Sequence, residues 1–119
     1  MPSPLSATQH KILGYFLLLH GVAHAAVGIW AAETGHWWMV ASLWELAMVG
    51  FIAAGFGALG VSGLRDAWRG ITLVAAGASI LLFLSSPHSA FLFGLGIDIM
   101  ALALVAYSRS AARPVSGSA

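Results

Sequence analysis

From Trp37 to Gly60 the chain carries one charged side chain, Glu45, in an apolar and glycine-rich run. That run is long enough to cross a bilayer as a helix, which takes about 20 apolar residues. Runs of the same kind occupy 12–32, 70–86 and 89–108, broken only by His20 and His24 in the first and Asp98 in the last. The whole chain is 60% hydrophobic and 8% charged, whereas a soluble domain is roughly a quarter charged. The reading is an all-α integral membrane four-helix bundle, one domain over 1–119 with a disordered tail at 109–119. No length remains in it for a separate soluble domain, so function is expected inside the bilayer or at its faces.

The basic residues predict the orientation. With four spans, Lys11, Arg65, Arg69, Arg109 and Arg113 fall on one side, while Glu33, His36 and His88 fall on the other. An excess of Lys and Arg close to span ends marks the cytoplasmic face, so both termini are expected in the cytoplasm and the chain in the cell inner membrane as a multi-pass protein. Trp37 and Trp38 at one boundary, with Trp68 and Tyr107 at the other, fit the aromatic belts of the two interfaces. Ala23-His24-Ala25 has the shape of a signal-peptide cleavage site, but the apolar run continues past it through Val27, Ile29 and Trp30.

Composition removes several functions. With no cysteine, disulfides, iron–sulfur clusters and thiolate metal sites are excluded, and a net charge of +1 offers no patch for nucleic acid. Gly55 to Gly63 lacks the Lys-Ser/Thr ending of a phosphate loop, and no G-x-S-x-G elbow occurs.

Ionisable side chains inside a span are costly, and their default reading is a site facing the bundle interior. Counted at about 1.5 Å per residue from the outer ends, His24, Glu45 and Asp98 lie roughly 12–13 Å deep and Ser79 roughly 10 Å. One layer thus receives a polar group from every helix. Such a cluster can bind a polar ligand, relay a proton or hold a cation; alternatively its members satisfy one another and lock helix order. His20 shares a helix face with His24 but is placed one turn deeper. A metal held by His20, His24, Glu45 and Asp98 would need ligands spread over about one helical pitch, roughly 6 Å, so the metal assignment stays open. Haem is disfavoured because the levels opposite His20 hold Gly50, Leu73 to Ala75 and Leu102. Gly14, Gly21 and Gly28 at seven-residue spacing, and Gly50, Ala54 and Gly57, predict close helix contacts through small residues. Gly94, Asp98 and Ala101 place the last acid on a small-residue, interior face. His36 and His88 read as solvated loop residues.

Gly21-Val-Ala-His24, then Glu45, then Gly50, Gly55, Gly57 and Gly60 ahead of Arg65 and Arg69 resemble the layout of the DoxX-like small bacterial membrane proteins, over roughly 12–107. The family typically has a lysine where this chain has His24, and its glutamate corresponds to Glu45; Phe93-Gly-Leu-Gly-Ile-Asp98 is closer to uncharacterised four-span proteins grouped with it. Named members are associated with thiosulfate:quinone oxidoreduction, membrane redox complexes and chaperoning. The resemblance implies a small accessory or redox-linked subunit of a quinone-linked membrane complex, and it establishes no catalytic residue. The competing expectation is a small proton-coupled transporter or proton relay built on the His/Glu/Asp cluster. Partners are then the lipid bilayer and either a larger membrane complex or further copies of the chain.

Overall fold

The protein is described by a computed structural model covering residues 5–31, 37–85 and 92–111, with side chains omitted at 26–31, 37 and 111. It is all-helical: α1 spans Ala7–Ala31, α2 Trp37–Ala58, α3 Trp68–Ser85 and α4 Leu92–Ala111. Among the described residues three stretches are long and apolar enough to cross a membrane, Trp38–Ala58, Trp68–Ser85 and Leu92–Ser110. These fit a membrane protein. The first span expected from the sequence falls on α1, part of which lacks described side chains.

Helix boundaries follow from local chemistry. α1 starts five residues ahead of the expected span because Ser6 and Gln9 cap it reciprocally. The Ser6 N–H donates to Gln9 Oε1 at 2.8 Å and the Gln9 N–H to Ser6 Oγ at 3.2 Å, so two otherwise orphaned donors are satisfied. α2 ends in a glycine-based stop. Gly60 has φ of 95°, its N–H reaches the Gly57 carbonyl, and the Val61 N–H reaches that of Phe56, the paired bonds of a Schellman motif. A short turn through Arg65 and Asp66 leads into α3. α4 is described from Leu92 and continues to Ala111, three residues into the segment 109–119 expected to be a tail. Positions 86–91 and 112–119 lie outside the described residues, as do Glu33, His36 and His88.

Packing is closest along α2, which lies between α1 and α3. A Cβ placed on Gly55 would sit 2.6 Å from Leu18 Cγ and 2.8 Å from the Gly14 carbonyl oxygen. Only glycine lets the α1 and α2 backbones meet there; Gly14 belongs to the predicted small-residue stripe of α1, whereas Gly55 lies outside the one predicted for α2. Gly50 faces Ala75 and Gly57 faces Trp68 across the α2–α3 contact. Gly28 lies in the part of α1 whose packing is outside the described residues. The core gathers Leu13, Leu17, Phe51, Ala54, Trp68, Ala75, Ala101 and Val105. The outer surface is also apolar: Ile12, Leu19, Val49, Phe56, Val74, Leu84 and Ile99 are all exposed. Large apolar side chains turned outward on every helix suit a lipid surround and not water. α4 leans on α3 and touches α1 in few places. One of those places holds the site.

Candidate functional site

His20 and His24 sit one turn apart on the inner face of α1. Both are buried, as are Ser79 on α3 and Asp98 on α4; Asp98 is 1% exposed. His20 Nε2 lies 2.8 Å from Asp98 Oδ1, joining α1 to α4. The carboxylate can only accept there, so His20 Nε2 carries the proton of this bond.

The tautomer of His24 follows from its neighbours. Its Nδ1 lies 3.0 Å from the His20 carbonyl oxygen, an acceptor, so Nδ1–H donates. In the neutral ring Nε2 is then an acceptor, and the Ser79 hydroxyl donates to it at 3.1 Å. The Trp44 indole N–H donates to the His24 carbonyl, tying α2 to the same turn of α1.

Phe51, fully buried, backs both imidazoles, with ring centroids 4.5 Å from His20 and 5.7 Å from His24. The two imidazoles meet edge to face at 4.7 Å. Asp98, His20, His24 and Ser79 therefore form one buried polar group linking α1, α3 and α4, set against an aromatic wall from α2.

This group opens onto a cavity of about 160 Å³ between α1, α3 and α4. Its remaining lining is mostly apolar: Ala23, Leu82, Phe83, Phe93 and Leu95. Gly94 adds no side chain to it; nothing lies within 4 Å of where a Cβ would stand. Phe93, 80% exposed, forms part of the rim. A cavity near 150 Å³ lined by apolar groups accepts a molecule the size of benzene, so this one admits a single six-membered ring. The apolar lining and the Ser79 hydroxyl have the chemistry of a site for a quinone ring. The Ser79 hydroxyl, free to rotate away from His24, would donate to a carbonyl oxygen of such a ring.

Four of the five polar residues singled out in the sequence, His20, His24, Ser79 and Asp98, are brought together. Glu45 is not. It is exposed on the outer face of α2 beside Leu46 and Val49, and among the described residues it has no hydrogen-bond or ion-pair partner. The reason is rotational: Ala54, on the buried stripe of α2, is nine positions from Glu45, about two and a half turns, which is the opposite side of the helix. Equal depth did not imply a common face.

Counting depth does not pair His20 with Asp98 either. Placed one turn below Asp98 by counting from the span ends, it bonds to Asp98 directly. With Glu45 gone, the four-ligand metal set is not assembled. Among the described residues no group of three or more His, Asp or Glu side chains is arranged to hold a metal ion.

Phe51, Trp44 and Gly94 were not singled out as part of the site. Trp44 and Phe51, seven apart, do share a helix face, which was the available signal. Protein-family models, curated proteins and solved structures contain no match to this chain.

Proposed function

We propose that the chain is a four-span membrane protein of the cell inner membrane with both termini cytoplasmic, acting as an accessory subunit of a larger membrane assembly. The observation that supports this is Glu45. An acid near the middle of a span costs about 2.5–3.5 kcal/mol against lipid, and such residues are nearly always covered by protein. Here it lies on an outer apolar face with Trp38, Leu46 and Val49, so a neighbouring subunit is the natural cover. α1 counts as the fourth span because Ile12, Tyr15, Leu19 and Val22 give it the same outward apolar surface. The DoxX-like resemblance supplies the kind of assembly, a quinone-linked redox complex in which a bound quinone carries electrons and protons between subunits. In this reading the chain supplies a binding pocket and no catalysis of its own.

The test is a photo-crosslinking residue at position 49, beside Glu45, in intact membranes. The reading expects one discrete crosslinked protein band that is lost in Glu45→Leu. Crosslinks to lipid alone, with the chain extracted as a monomer, would overturn it.

A second reading is favoured by the cavity: a proton relay or small proton-coupled transporter using His20, His24, Ser79 and Asp98. Glu45 does not belong to that group. Proton-linked flux in liposomes that disappears in Asp98→Asn, and persists in Glu45→Gln, is its expected signature; flux absent from the wild-type protein refutes it.

A further inference from the structure

A second groove, of about 670 Å³, lies at the opposite end of the bundle between α2, the start of α3 and the end of α4. Its chemistry is divided by height. At the mouth stand Arg69, Arg109 and Asp66; above them the walls are Ile71, Val74 and Leu46. Val74 and Leu46 are exposed, so the apolar part opens on the outer flank of two helices long and apolar enough to span a membrane. The mouth falls at their ends, where an interface lies.

Arg69 is held in place. Its Nε–H donates to Ser108 Oγ at 2.9 Å, and the Ser108 hydroxyl donates to the Val105 carbonyl at 2.8 Å. Its guanidinium carbon lies 5.1 Å from the ring centre of Trp68, itself buried. These contacts leave both terminal amino groups of Arg69 without a partner among the described residues. Arg109 follows Ser108 directly and has no carboxylate partner among them either. The one acid at the mouth, Asp66, is paired with Arg65 at 3.7 Å, both well exposed. Two guanidinium groups therefore stand together at a membrane interface, one of them fixed, below an apolar channel running at least about 8 Å up the span.

We propose that this groove binds one anionic phospholipid. Its phosphodiester is held by Arg69 and Arg109, and one acyl chain lies along Ile71, Val74 and Leu46. A guanidinium fork matches phosphate oxygens in geometry as well as charge, and basic pockets between spans at the interface are suited to phospholipid headgroups. The apolar upper half distinguishes a lipid from a free phosphate, which would leave that half unused. Gly70 lines the groove with nothing within 4 Å of a Cβ position, so a side chain there would occupy the acyl path without altering any charge.

The test is native mass spectrometry of the purified full chain, with phosphatidylglycerol or phosphatidylcholine added to the micelles as probes. The expected result is about tenfold greater retention of phosphatidylglycerol, the order expected of one or two charge-assisted contacts. Arg69→Gln with Arg109→Gln should abolish that preference while Arg69→Lys keeps most of it, and Gly70→Leu should reduce retention of the lipid while both arginines remain. Equal retention of the two lipids by the wild-type chain would overturn the proposal. So would unchanged retention in Gly70→Leu, or displacement of phosphatidylglycerol by millimolar inorganic phosphate, which would mark a site for the anion alone. Should the double variant fail to fold, Gly70→Leu and the phosphate competition still decide.

Discussion

Asp98→Ala removes the acceptor that His20 Nε2 holds at 2.8 Å inside a site almost closed to solvent. Breaking a buried pair by deleting one partner typically costs about 3–5 kcal/mol. In a membrane bundle the unfolded reference also finds polar partners, so a smaller loss, about 2–3 kcal/mol, is expected. Asp98→Asn occupies nearly the same volume and keeps an oxygen able to accept the imidazole N–H, so its loss should stay near 1 kcal/mol, the difference between a charged and a neutral acceptor. The assay is reversible unfolding in detergent, followed by tryptophan fluorescence, for Asp98→Ala, Asp98→Asn, His20→Ala and the double variant His20→Ala/Asp98→Ala. A direct bond predicts coupling of about 1–3 kcal/mol between positions 20 and 98. Additivity within about 0.5 kcal/mol, or equal losses for Asp98→Asn and Asp98→Ala, would refute the claim that this bond joins α1 to α4.

Gly55→Ala should destabilise the bundle by about 1–3 kcal/mol in the same unfolding assay, because its methyl group would meet the Gly14 carbonyl and Leu18 from 2.6 to 2.9 Å. Gly60→Ala should cost about 1–2 kcal/mol, since φ of 95° is retained there at the end of α2; unchanged stability would contradict the helix stop. Gly94→Leu should fold normally yet block binding of small ring compounds, measured by quenching of the bundle's tryptophans or by calorimetry, because it builds into the open side of the 160 Å³ cavity. Glu45→Leu should leave the unfolding midpoint of the isolated chain unchanged or raised, and the loss of crosslinking should then be traced to assembly and not to folding.

What could be read in the sequence follows from what a one-dimensional pattern encodes. Long apolar runs specify helices, so α2, α3 and α4 lie where the hydropathy placed them, and the glycine spacing on α1 anticipated the close approach at Gly14, though its α2 partner, Gly55, lies off the stripe of Gly50, Ala54 and Gly57. The start of α1 moved outward because the Ser6–Gln9 capping exchange extends the helix through polar Thr8, His10 and Lys11, residues that hydropathy counts as outside.

The site was half legible. His20, His24, Ser79 and Asp98 stood out as ionisable or hydroxyl groups in apolar runs, and all four are buried. Which of them pair was not legible, since depth counted from span ends takes no account of side-chain reach or of how each helix is rotated. Glu45 is the instructive case: its depth matched the layer, but rotation about the helix axis put it on the opposite side from Ala54. A buried stripe can be assigned only once the neighbours of a helix are known.

The arrangement of the polar group is tested most directly by a dipolar-recoupling solid-state NMR distance, in lipid bilayers, between ¹⁵N-labelled His20 Nε2 and the ¹³C-labelled side-chain carboxyl of Asp98. The structure predicts an imidazole nitrogen bonded to a carboxylate oxygen at 2.8 Å, and hence strong dephasing that is absent for the Glu45 carboxyl. Nitrogen-to-oxygen separation beyond hydrogen-bond reach, more than about 3.5 Å, together with a Glu45 carboxyl close to His24, would contradict it and restore the single-layer cluster of His24, Glu45 and Asp98.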